Sequence, residues 1–172
     1  MNDFYKLEAK TPSGDLLPME QFRGKILLIA NTATRCGLTP QLKGLEELHK
    51  TYKNYGLNVI GFPCNQFAWQ EPLSNDNMEK ACFNSHRITF QLTEKINVNG
   101  RNTNPIYQFL KKAKKGFIVS RIQWNFTKFL LINKVMSLTD MHQEYYQRPL
   151  KMIFNSYFHS THKKSTSKKV LF

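Results

Sequence analysis

Acidic residues are scarce in this chain: 12 Asp and Glu stand against 25 Lys and Arg in 172 residues, a formal net charge of +13. None lies beyond Glu144, whereas Arg148, Lys151, Lys163, Lys164, Lys168 and Lys169 do. Part of the excess therefore belongs to a basic tail, and no nucleic-acid partner is expected from it. Cysteine is sparse too, with single residues at 36, 64 and 82. That is too few for a disulfide-held secreted scaffold, and the Cys/His spacing of a zinc site is missing, so no metal or other cofactor is expected. No apolar run reaches the length of a membrane-spanning helix. The opening MNDFYKLEAK has neither an apolar signal core nor an Arg-rich amphipathic pattern. The expectation is a cytoplasmic protein, in a reducing compartment where a disulfide is a catalytic or sensing event. With 41% hydrophobic residues the length suits one domain with a core, not two.

What is present centres on residues 26–41, ILLIANTATRCGLTPQ. The apolar run from Ile26 to Ala30 is too short for a helix and too continuous for a half-exposed strand, so it predicts a buried strand. Leu38, Leu42, Leu45, Leu48 and Tyr52 recur at helical spacing and predict a helix from about Thr39 to Tyr55, closed by Gly56. Cys36 sits between them, where helix dipole and free backbone N–H groups favour a thiolate. It is a candidate nucleophile, although a small buried hydrophobe in a turn is the plainer reading of a lone cysteine. Leu57 to Phe62, ended by Pro63, predicts a second core strand, parallel to the first through a right-handed crossover. An N-terminal hairpin is predicted around Pro12-Ser13-Gly14-Asp15. A short helix is predicted from Ser74 through Phe83, a brief strand at Thr89-Phe90, a helix from Pro105 through Lys112, and a strand from Phe126 to Ile132.

Four segments extend this pattern. They are Asn31-Thr32-Ala33-Thr34-Arg35-Cys36-Gly37-Leu38-Thr39, Gly61-Phe62-Pro63-Cys64-Asn65-Gln66-Phe67-Ala68-Trp69-Gln70-Glu71-Pro72, Ile88-Thr89-Phe90 through Val98-Asn99-Gly100, and Trp124-Asn125-Phe126-Thr127-Lys128-Phe129-Leu130. In order and spacing they resemble the glutathione peroxidase family, over about residues 4 to 134. The resemblance implies a thioredoxin-like α/β fold, a central mixed sheet flanked by helices with an N-terminal β-hairpin, and reduction of hydrogen peroxide and organic or lipid hydroperoxides. Cys36 matches the peroxidatic position, and Gln70, Trp124 and Asn125 match the other members of the family's catalytic tetrad. On residue type alone Gln70 is a loop side chain, Trp124 a core residue and Asn125 a turn residue.

The chemistry also stands on its own terms. A thiolate attacking an O–O bond needs its charge held and donors aimed at the leaving oxygen, and amide and indole N–H groups are neutral donors suited to both. Cys82 matches the resolving cysteine of members that use thioredoxin, which makes thioredoxin the expected reductant over glutathione. Asn84 and Ser85 make its helix easy to open. Cys64 reads as inert packing. His49 and His86 receive no function. Residues 111–123 are short where tetrameric members carry an insertion, so a monomer with an open site is expected. Lys111, Lys112, Lys114 and Lys115 suggest weak contact with anionic lipid. The rival readings are a peroxide sensor passing its oxidation to a partner, a basic nucleic-acid or membrane-surface binder, and an inactive relic.

The chain departs from the family at Thr32, Thr34, Ala68 and Gln91. Ala68 stands where the family has glycine, so a positive φ there would strain the loop that carries Gln70. After Lys134 the family's last core strand and covering helix are expected to be missing or altered. Residues 1–134 then form the domain and 135–172 a divergent, weakly ordered or non-native basic segment, with the strand from Phe126 to Ile132 left exposed. Codons can be chosen for Thr139 to Glu144 that spell Arg-Tyr-Ala-Pro-Gly in the neighbouring frame, so the tail is expected to be out-of-frame translation. Coding DNA that lacks such a peptide in either other frame removes the idea.

Overall fold

The computed structural model describes residues 1–113 and 121–132 and, as backbone alone, 135–137. Its sheet is built outward from β3 (Ile26–Thr32), all seven residues of which are buried. β4 (Leu57–Pro63) pairs parallel to it, Ile29 opposite Ile60. β6 (Lys128–Leu131) pairs antiparallel on the other side, Ile29 opposite Phe129. β5 (Gln91–Leu92) lies parallel to β4 and β7 (Val135–Ser137) antiparallel to β6, so the order β5-β4-β3-β6-β7 makes a mixed sheet. Burial of all seven residues means that both faces of β3 are covered, which is why it is apolar without alternation.

Between β3 and β4 runs α1 (Gln41–Tyr52), burying Leu42, Leu45, Leu48 and Tyr52 as the spacing predicts. It passes into a 3-10 turn that Gly56 ends at φ 94, a left-handed conformation open to glycine. Gly61 serves close approach instead: a Cβ there would lie 2.7 Å from Leu92 Cδ2, so β5 could not pack beside β4. One sheet face packs Leu27, Ile29, Ile60, Phe62, Phe129 and Leu131 against Ile106, Tyr107 and Leu110 of α3 (Pro105–Ala113) and against Phe4 and Phe22. The hairpin of β1 (Glu8–Lys10) and β2 (Leu16–Pro18) pairs Ala9 with Leu17.

Several elements end elsewhere than expected. α1 begins at Gln41, not Thr39, because the Thr39 hydroxyl is engaged in the turn before it. α2 (Asn75–His86) continues past Phe83 to His86, so Cys82 lies within the helix. The brief strand falls at Gln91–Leu92 because Glu46 holds both the Thr89 N–H, at 2.8 Å, and its hydroxyl, at 2.6 Å. Phe126 has φ 64, which delays the start of β6 to Lys128. The expected exposure of this strand is not found: Phe129, Leu130 and Leu131 are buried, and β7 pairs along its edge, Leu130 opposite Met136. The sheet thus runs past Lys134, and Met1–Thr139 forms one compact unit. The expectations for the tail beyond residue 137 lie outside the described residues.

Candidate active site

At the end of β3 the chain leaves the sheet as a series of turns that present Cys36. Thr39 organises them from inside. Its hydroxyl accepts the Cys36 N–H at 3.0 Å and donates to the Ala33 carbonyl at 3.0 Å, while its own N–H closes on the Cys36 carbonyl at 2.9 Å. The Leu38 N–H lies 3.3 Å from the Cys36 sulfur. The Cys36 sulfur is thus served by a turn amide three residues before α1 begins, rather than by the first turn of the helix itself. Cys36 is 8% exposed and opens on a groove of about 740 Å³ that runs past Lys43, Glu46 and Lys50 of α1 to His86 and Arg87.

A second loop locks onto the first. The buried Glu71 carboxylate accepts the Thr34 N–H at 2.8 Å and the Thr34 hydroxyl at 2.7 Å, and the Glu71 N–H donates to Asn65 Oδ1 at 2.9 Å. Burial raises the Glu71 carboxyl above the ordinary carboxylate range, against the lowering effect of the Thr34 donors. The Arg35 N–H donates to the Gln70 carbonyl at 2.9 Å, which sets Gln70 beside the residue preceding Cys36. Thr34, one of the departures from the family, is therefore the anchor of this junction.

Two consecutive left-handed residues, Ala68 at φ 49 and Trp69 at φ 51, turn this loop. A Cβ in that region is strained, as expected at Ala68. Ala68→Gly is expected to raise the unfolding free energy by about 0.5 to 1 kcal/mol, read as a higher denaturant midpoint with unchanged slope. An unchanged or lower midpoint would show that the loop carries no strain.

The third loop is tied to β3 by Asn31. Its Nδ2 donates to the Trp124 carbonyl at 3.0 Å, and its carbonyl accepts the Phe126 N–H at 2.7 Å. Asn125, 3% exposed, donates from Nδ2 to Gln70 Oε1 at 2.8 Å. That bond orients the Gln70 amide, engaging its oxygen and leaving its N–H₂ free to donate elsewhere. Trp124 is 44% exposed, its ring 5.8 Å from that of Phe67 in the Gln70 loop. Three predicted residues thus meet at one place: Gln70 and Asn125 by hydrogen bond, Trp124 through Phe67. Cys36 joins them through the backbone of Arg35.

Cys82 is placed differently. It is buried in α2, and all three cysteines are free thiols. Burial, with the charges of Glu71 and Glu79, pushes its thiol up to about 12. Cys64 is fully buried on β4's exit, its thiol also raised by burial, in keeping with packing. Lys111 does not serve as a surface cation: its Nζ donates to the Val98 carbonyl at 2.8 Å and burial lowers its pKa. Lys114 and Lys115 lie outside the described residues. Asn31, Thr39 and Glu71 were not anticipated as site residues. The one sequence signal was Asn31, a polar residue ending a buried apolar run.

Comparison with known proteins identifies the family. Residues 4–111 match the family model described as glutathione peroxidase. The chain is 48% identical over 131 residues to a glutathione peroxidase-like peroxiredoxin of Schizosaccharomyces pombe, covering 76% of this chain and 83% of the relative. It is 46% identical over 129 residues to a glutathione peroxidase of Lactococcus lactis, covering 75% and 82%. A hydroperoxy fatty acid reductase of Synechocystis is 41% identical over 136 residues, covering 76% and 80%. Among solved structures, that of Trgpx in apo form superposes with a TM-score of 0.68 at 31% identity, covering 88% of this chain and 93% of that one.

Proposed function

The chain belongs to the glutathione peroxidase family, and from that premise we propose that Cys36 is its peroxidatic nucleophile, with Gln70, Trp124 and Asn125 as donors and Cys82 as resolving cysteine. The protein is a thiol peroxidase with the thioredoxin-like fold. The Cys36 thiolate attacks one oxygen of ROOH and the O–O bond breaks. The other oxygen takes a proton and leaves as ROH, and Cys36 becomes a sulfenic acid. The Gln70 and Asn125 amides and the Trp124 indole donate to the oxygen on which charge develops. The Cys82 sulfur then bonds to that of Cys36, the hydroxyl leaves as water, and a dithiol reductant reopens the disulfide by exchange.

The observation that carries this reading is the Asn125–Gln70 hydrogen bond, made where the Gln70 backbone meets Arg35 beside Cys36. An internal resolving thiol favours thioredoxin over glutathione, because the enzyme's oxidised form is then a disulfide matched to a dithiol donor. The groove reaching Cys36 supports acceptance of bulky lipid hydroperoxides as well as hydrogen peroxide. The short stretch 111–123 supports a monomer. No described helix is long and apolar enough to cross a membrane, and a cytoplasmic location is part of the proposal.

The test is NADPH oxidation with hydrogen peroxide and with a lipid hydroperoxide, coupled in parallel to thioredoxin with its reductase and to glutathione with its own. Peroxide-dependent oxidation, faster through thioredoxin, is expected. No oxidation above the enzyme-free rate in either system overturns the peroxidase reading, and faster turnover with glutathione overturns the choice of reductant.

A further inference from the structure

Lys128 has no part in the chemistry described so far. It lies on β6 opposite Ala30, and only 2% of it is exposed. A buried ammonium is unfavourable unless acceptors hold its protons. Burial lowers the pKa of Lys128 to about 7.

Its acceptors belong to two different turns. The ammonium donates to Oε1 of Gln41 and, at 2.8 Å, to the carbonyl of Phe126. Gln41, the first residue of α1, donates its N–H to the Leu38 carbonyl at 2.9 Å, and the Leu38 N–H faces the Cys36 sulfur. Phe126, in the left-handed region, directly follows Trp124 and Asn125. Asn31 secures the Trp124 carbonyl and the Phe126 N–H, and Lys128 secures the Phe126 carbonyl. One side chain therefore bridges the turn that presents the sulfur and the turn that presents its donors.

We propose that Lys128 is a positioning residue that sets the separation between the Cys36 sulfur and the donors of the Trp124-Asn125 turn by clamping Gln41 to the Phe126 carbonyl. The proposal rests on the reading of Cys36 as the peroxidatic residue. Small misplacements of reacting groups cost rate steeply, about a hundredfold for one ångström. A buried charge retained for geometry is consistent with that sensitivity.

The test uses the full chain and the variants Lys128→Met, Gln41→Leu and their combination. The rate of Cys36 oxidation by hydrogen peroxide is read in single turnover, with thermal midpoints at pH 6 and pH 9. Lys128→Met is expected to react about tenfold or more slowly without a lower midpoint at pH 6. The wild-type lysine has a folded pKa below its unfolded one. It therefore releases its proton on folding between about pH 7 and 10.5, and wild-type stability rises with pH through that window. The advantage of Lys128→Met should accordingly be larger at pH 6 than at pH 9. Gln41→Leu should show a similar rate loss, and the double variant should be no slower than about twofold below the slower single one.

A wild-type rate in Lys128→Met overturns the proposal. So does a rate loss accompanied by a lower midpoint at both pH values, which is the mark of a merely structural lysine, and so do multiplicative losses in the double variant. A wild-type protein inert toward peroxide overturns instead the reading on which the proposal rests.

Discussion

Cys82→Ser is expected to consume one equivalent of hydroperoxide per protein and then stall with thioredoxin as the reductant, whereas Cys36→Ser consumes none. The asymmetry follows from where the two sulfurs sit. Cys36 opens on the groove with a backbone N–H on its sulfur. Cys82 is buried in an intact helix, its thiol raised to about 12, and at neutral pH it is protonated and a poor nucleophile. On the proposed reading, resolution by Cys82 requires α2 to open. Met78 and Cys82 are its two buried side chains, its Ser74 cap accepts the Asn77 N–H at 3.4 Å, and Asn75 Oδ1 accepts the Lys95 N–H at 2.9 Å.

The segment beyond is firmly held, because Glu46 grips Thr89 by both N–H and hydroxyl. The piece that would have to open is thus bounded by Ser74 and Thr89. Opening it also frees the Cys82 thiol from the burial that raises its pKa, so the movement and the activation are one event. Mass spectrometry should find a sulfenic acid on Cys36, trapped by dimedone, in Cys82→Ser, and a Cys36–Cys82 disulfide in the oxidised wild type. Undiminished turnover of Cys82→Ser with thioredoxin would exclude the resolving role.

Asn125→Ala is expected to slow the reaction of Cys36 with peroxide by about 10²- to 10³-fold, the usual loss when one donor to developing negative charge is removed. Asn125 is nearly inaccessible, and its Nδ2 engages Gln70 Oε1. Truncation removes one donor and releases the other to rotate. Gln70→Ala should lose a comparable factor. The double variant should be slower than either by much less than the product of the two losses, because the amides act as a unit. Stability should fall only by the roughly 1 kcal/mol of one hydrogen bond. Stopped-flow measurement of the second-order rate constant checks all three variants. A rate within about threefold of wild type in Asn125→Ala would remove it from the group of donors to the leaving oxygen.

Much of this protein could be read from local pattern. The apolar run of β3, the leucine spacing of α1, Gly56 as its stop and Ser74 as the cap of α2 are short-range signals, and each marks an element the structure contains. Cys36, Gln70, Trp124 and Asn125 could be proposed as site residues because their motifs resemble those of the family. The strain at Ala68 was also legible, since it turns on one Cβ in one backbone region.

Long-range pairing decided the rest. Asn31 meets the Trp124 carbonyl across 93 positions, Lys128 meets Gln41 across 87, and Glu71 holds Thr34 across 37. A buried polar side chain is stable only with partners, and nothing in its own neighbourhood along the chain says which turn will supply them. The same applies to β5, moved along by the grip of Glu46 on Thr89, and to β6, delayed by the left-handed Phe126. Sequence periodicity reports which residues leave water. Which distant groups then satisfy one another, and so where the sulfur stands relative to its donors, is settled only when the sheet has brought the three loops to one end.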